Sequence, residues 1–84
     1  MTKEELISIL EICNKATQAP WTSCIEGRDF DSGSGFIMTG KDENRDYDIE
    51  FVSIKSADQD FIAMARNVIP KLVDDILRLK NINI

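Results

Sequence analysis

The sequence predicts an α+β domain with the order α-β-β-β-α, two helices packed on one face of a three-stranded antiparallel sheet, the last helix bent near Pro70. Three observations carry this. Apolar residues recur at helical spacing at both ends of the chain. Between them lie short alternating runs separated by Gly, Asp and Ser clusters. With 84 residues and neither repeats nor a linker, the chain reads as one domain, 1–84.

The first helix opens on Thr2-Lys3-Glu4-Glu5, a capping box in which Glu5 reaches back to Thr2. Leu6, Ile9/Leu10, Cys13 and Ala16/Thr17 follow at helical spacing, and Pro20 stops the run. Trp21 to Glu26 reads as a first strand, and Gly27 to Gly35 as a loop. Phe36 to Thr39 reads as a second strand, Gly40 to Asp46 as a polar connection, and Tyr47 to Ile54 as the clearest strand, apolar on one face and mostly acidic on the other.

The last segment, Ser56 to about Lys80, opens on a second capping-box pattern, Ser56-Ala57-Asp58-Gln59. Phe61, Ala65, Val68, Leu72, Ile76 and Leu79 form its apolar stripe, broadened by Ile62, Ile69, Val73 and Leu77 and expected to lie in the core as the lid of the sheet. Pro70 is expected to bend or split it, because a straight run of residues 57–80 measures about 36 Å. A compact chain of this size is only about 30 Å across.

Composition narrows the function. The net charge of -5 argues against nucleic acid and anionic membrane as partners. No apolar run is long enough to span a bilayer. The first residues lack a signal-peptide pattern, so a cytoplasmic location and reduced Cys13 and Cys24 are expected. Histidine is absent, which removes Ser-His and Cys-His nucleophile pairs, and two cysteines cannot furnish a zinc site. No Lys stands two residues after an acid, as the familiar nuclease element requires. Nucleophile, base and oxyanion donors cannot all be assigned, so no catalytic residue is named.

Acidic spacings at Asp29/Asp31 and at Asp42/Asp46 suggest calcium, but both fail the EF-hand pattern. The sixth and twelfth positions hold Ser34 and Gly40 in one register, Tyr47 and Ser53 in the other. Gly33-Ser34-Gly35 reads as a turn rather than a phosphate nest, given acids beside it. Neither metal nor cofactor is expected. The element order is also that of double-stranded-RNA-binding domains. There the last helix starts with basic residues, whereas here it starts Ser56-Ala57-Asp58-Gln59-Asp60.

Charge is segregated. Between residues 26 and 60 stand ten acids and four bases, netting -6, whereas residues 61–84 net +2. This is either a solvated sheet face with polar loops or an acidic docking surface for a basic protein. The docking reading assigns partner contacts to Glu26, Asp29, Asp31, Asp42, Glu43, Asp46, Asp48 and Glu50. The rival reading is a small-molecule or nucleotide pocket between helix 57–80 and the loop Arg28–Gly35, using Trp21, Arg28 and Arg66. Trp21 also suits a core aromatic between helix and sheet, and Arg66 suits an exposed position or an ion pair with Asp29 or Glu50.

Three stretches together are similar to a group of small bacterial and phage proteins. They are Ala16-Thr17-Gln18-Ala19-Pro20-Trp21, the run from Glu26 through Ser32-Gly33-Ser34-Gly35-Phe36 to Gly40, and Asp58 to Leu72. That group has an Ala-Thr-Pro-Gly-Pro-Trp-like start and an Asp-x-x-Phe-Ile-Ala-x-Ala-Arg-x-x-Ile-Pro-x-Leu helix. This chain departs from it at Gln18-Ala19. The group carries no settled activity; the resemblance implies a setting of phages, mobile elements and toxin or defence loci, where small acidic proteins often cap basic enzymes. The expectation is therefore a non-enzymatic interaction module of inhibitor or immunity type, with the pocket reading as its alternative.

Overall fold

The computed structural model describes residues 1–82. The chain runs α1 (Lys3–Lys15), β1 (Trp21–Cys24), β2 (Phe36–Thr39), a 3-10 turn (Asp42–Asn44), β3 (Asp48–Glu50) and α2 (Ser56–Leu79). The strands form one antiparallel sheet in the order β1-β2-β3. The expected α-β-β-β-α order is the observed one.

The α1 cap is the expected box. Thr2 Oγ1 accepts the Glu5 N–H at 3.1 Å, and Glu5 Oε1 accepts the Thr2 N–H at 2.9 Å. The helix stops at Lys15, short of Pro20. The reason lies at Thr17, whose carbonyl a continuing helix would offer to the Trp21 N–H. Instead it accepts the Trp21 indole N–H at 3.0 Å and Arg66 Nε at 2.9 Å, while the Trp21 N–H goes to Asn67 Oδ1. The Ala19–Pro20 peptide is cis.

β1 ends at Cys24 rather than Glu26, and the strand expected over 47–54 contracts to Asp48–Glu50. Phe36, the first residue of β2, pairs with Glu50, and Ser34 and Gly35 before it belong to a loop. From Phe51 onward there is no neighbouring strand to pair with, so the chain leaves the sheet. At the other end of β2, Gly40 is buried with φ +75°, and a Cβ there would sit 2.0 Å from the Asn44 carbonyl oxygen. Only glycine fits that turn.

The second capping box does not form. Lys55 occupies the cap position without a side-chain bond, Ser56 is already helical, and Gln59 turns inward. α2 continues through Pro70 as a single 24-residue helix, so the split envisaged at that proline does not occur. The molecule measures 48 × 28 × 19 Å. It is longer than the ~30 Å of a compact chain, so the need to wrap the sheet falls away. The first half of α2 lies on β1 and β2, and its second half extends beyond them. There α1 packs along it, and α1 reaches the sheet through α2.

Two buried zones result. Over the sheet lie Ile37, Thr39, Gln59 and Ala63; between the helices lie Leu6, Val73 and Leu77, flanked by Ile9, Leu10 and Ile76. The inward stripe of α2 is thus Gln59, Ala63, Arg66/Asn67, Pro70, Val73 and Leu77, spaced by three and four. Of the stripe expected in the core, Val73 and Leu77 are buried there, but its main line is on the other side of the helix. Phe61, Leu72 and Leu79 are 55%, 53% and 83% exposed, and Ala65, Val68 and Ile76 are half-buried.

Candidate functional site

The sheet has one covered and one open face. Register places Trp21 beside Thr39, Ser23 beside Ile37, and Ile37 beside Ile49; these residues face α2. Thr22-Met38-Asp48 and Cys24-Phe36-Glu50 alternate with them and face outward. Phe30, from the β1–β2 loop, folds over this outer face with its ring 5.7 Å from that of Phe36. Met38 and Phe36 are half-buried at the centre; Asp48 and Glu50 are exposed on the edge strand β3.

The eight acids assigned to partner binding are spread over the molecule. In this antiparallel meander, loops 27–35 and 40–46 leave opposite ends of β2. Glu26, Asp29 and Asp31 therefore stand at one end of the sheet, Asp42, Glu43 and Asp46 at the other, with Asp48 and Glu50 between them on β3. Three of the eight are engaged locally. Asp29 Oδ2 accepts the Ile25 N–H at 2.7 Å and pairs with Arg28 at 2.9 Å. Asp46 Oδ1 accepts the Tyr47 N–H at 2.8 Å, and Asp48 pairs with Arg45. Among the described residues, no ion pair engages Glu26, Asp31, Asp42, Glu43 or Glu50.

The three residues assigned to the alternative pocket do not converge. Trp21 and Arg66 stand at the 40–46 end of the sheet. The Arg66 guanidinium carbon lies 6.0 Å from the Trp21 ring centroid, and the side chain bonds to the Thr17 carbonyl, not to Asp29 or Glu50. Arg28 stands at the opposite end, its guanidinium forked onto Asp60 at 2.8 and 3.0 Å. That fork, helped by a hydrogen bond from Ser23, holds the Asp60 carboxyl down at about 2. Arg28 itself is raised further above its already high value by Asp60 and Asp29. Its hydrogen bond and that of the Ile25 N–H hold Asp29 low. A cleft of about 420 Å³ does lie between the start of α2 and the 25–35 loop, but Ile25, Glu26, Gly35, Ile54, Ser56 and Gln59 are among its lining residues.

The sequence pattern assigns Gln59 to a helix cap and gives Asn67 no role. Gln59, 1% exposed, donates from Nε2 to Ser23 Oγ, Cys24 O and Phe36 O at 3.0, 3.2 and 2.9 Å, binding α2 to two strands. Asn67 accepts the Trp21 N–H and donates to the Trp21 carbonyl, both at 2.8 Å, as a neighbouring strand would. It covers the start of the β1 edge, whereas β3 on the other side has no such cover among the described residues. The only advance signal for either was a polar residue at a position three or four from apolar neighbours on the helix.

Cys13 and Cys24 are unpaired thiols. Partial burial, then Asp29 and Asp48, push the Cys24 thiol up, away from the reactive thiolate. Among the described residues no group of three or more Cys, Asp or Glu side chains is placed to hold a metal ion, and no helix is long and apolar enough to cross a membrane. Comparison with protein-family models, curated proteins and solved structures gave no match.

Proposed function

We propose that the chain is a non-enzymatic protein-interaction module of inhibitor or immunity type, which binds a basic protein through the outer face of its sheet. The supporting observation is the composition of that uncovered face: Phe30, Phe36 and Met38 at the centre, with Asp48 and Glu50 along one edge. An apolar centre with a charged rim is the common anatomy of a protein interface. The acids supply rate and selectivity for a basic partner, and the aromatic pair supplies the anchor. The loop acids Glu26, Asp31, Asp42 and Glu43 extend the same field at both ends.

The test is affinity capture from the native host with the wild-type chain and with Glu50→Lys and Met38→Asp. A basic protein retained by the wild type, released by salt and lost from both variants is expected. Retention that ignores these substitutions, or capture only of acidic proteins, refutes the reading. The 420 Å³ cleft is within the size range of small-ligand sites, which favours the second reading. Stabilisation by a nucleotide or other small ligand in a thermal-shift screen would support it.

A further inference from the structure

α2 carries two apolar stripes and the fold uses one. Phe61, Ala65, Val68, Leu72, Ile76 and Leu79 line the outward side, with Met64 beside them at 50% exposed. Only Ile76, at the flank, also touches the Leu6 cluster. The steps of four and three keep this seam on one side of the helix through about five turns, a pattern that packs against another helix.

We propose that a second copy of this chain docks on this seam, its α2 antiparallel to the first across a two-fold axis at the level of Pro70. Three features select that occupant. The first is the symmetry of the seam itself. A two-fold interface must be complementary to its own reversal. Reversal about Pro70 exchanges Phe61 with Leu79 and Val68 with Leu72, and sets Ala65 against the Asp75–Ile76 turn, so large apolar residues meet apolar residues. The second is charge. Asp58 stands in the first turn, Arg78 in the last and Lys80 at the cap after it; Asp60 is already held by Arg28, and Arg78 also pairs with Asp75 of its own chain. Antiparallel pairing brings each acidic end to a basic end and opposes the two helix dipoles.

The third feature is area. The exposed parts of Phe61, Met64, Leu72 and Leu79 leave on the order of 500 Å² of apolar surface per chain, at the upper end for a monomer's largest patch. Two such patches bury about 1,000 Å², the threshold for a specific interface. A membrane surface is a poorer occupant. Interfacial helices line their polar face with Lys and Arg, whereas Asp58, Asp74 and Asp75 sit among the bases here and the chain is acidic overall.

The experiment is light scattering and sedimentation on the full chain over a concentration series. The wild type is expected at twice the chain mass of 9.5 kDa. Phe61→Lys and Leu79→Asp should each weaken association about 100-fold, since each substitution acts at both ends of a symmetric contact. Both positions are exposed, and circular dichroism will confirm that each variant retains its fold. Mixing the two variants should restore a dimer, because antiparallel pairing sets the new Lys against the new Asp at one end. Dissociation of the single variants without rescue on mixing overturns the antiparallel register. A wild-type mass of 9.5 kDa up to about 1 mM, a dimer indifferent to both substitutions, or a monomer that binds lipid vesicles through Leu72 overturns the self-association itself.

Discussion

Replacing Gln59 is the sharpest test of how α2 is held to the sheet. The side chain is 1% exposed, and its Nε2 serves three acceptors, Ser23 Oγ, Cys24 O and Phe36 O. Truncation in Gln59→Ala removes the donor, strands acceptors in a dry site and opens a void beside Gly35. Each net hydrogen bond contributes about 1 kcal/mol, and each abandoned buried partner costs about 1–3 kcal/mol. Nε2 has two protons for three acceptors, and some acceptors will recover water, so the expected loss is about 2–4 kcal/mol. For a domain with about 4–12 kcal/mol in total, that is a large fraction. It corresponds to a melting-point drop of about 10–20 °C. Gln59→Met nearly keeps the volume and removes the amide, which separates packing from hydrogen bonding. Exposed Asp58→Ala, one position away, should stay within about 0.5 kcal/mol. Urea melts of all three variants provide the measurement. A Gln59→Ala loss under about 1 kcal/mol, or a neutral Gln59→Met, would falsify the account of Gln59 as the bond between helix and strands.

Three further outcomes are expected. Asp60 has a folded-state pKa depressed to about 2 by Arg28, against about 3.9 in an unfolded chain. The ionised form therefore contributes stability above the unfolded value, and this is lost as pH falls through the folded one. Thermal melts should decline between about pH 4 and pH 2 less steeply in Asp60→Asn than in wild type; with no histidine in the chain, stability should be nearly flat from about pH 5 to 8. Asn67→Ala should uncover the Trp21 backbone and cost about 1–3 kcal/mol, with faster hydrogen exchange at the Trp21 amide as its local signature. Pro70→Ala restores a donor inside α2 and should stabilise the chain by about 1–3 kcal/mol in the same melts.

Legibility followed the range of the interaction. The Thr2–Glu5 box, the three antiparallel strands and the element order were readable because each is fixed by neighbours in sequence or by alternation. Strand ends were not, because where β3 stops depends on where β2 starts, a property of the partner strand. The supposed cap at Ser56–Gln59 failed for a related reason. The pattern is equally a polar residue one turn into a helix, and Gln59 found three acceptors across the sheet that a local cap could not offer. Charge counting located the acids but not their pairing. Arg28 and Arg45 are near neighbours of Asp29 and Asp48 in the chain and meet them in the fold, which takes part of the expected acidic surface out of play.

The face of α2 was the largest misreading, and its cause bears on function. Hydrophobic periodicity reports that a stripe is apolar, not what covers it. In α2 the more apolar stripe, Phe61 to Leu79, faces outward, while the inward one carries Pro70 and Gln59, Arg66 and Asn67, each of the three held by a specific partner. A monomer that only needed stability would gain by exchanging them, since burying Phe61 and Leu72 in place of Gln59 and Asn67 adds apolar area at about 25 cal/mol per Å². The observed arrangement instead spends polar residues on fixing the helix to the strands and keeps the apolar ones available. Such a division is expected of a helix with two clients, its own sheet on one side and another helix on the other. It leaves the outer sheet face, with Phe36 and Glu50, uncovered on the far side of the molecule, so that the proposed self-association and the proposed capture of a basic partner would use different surfaces.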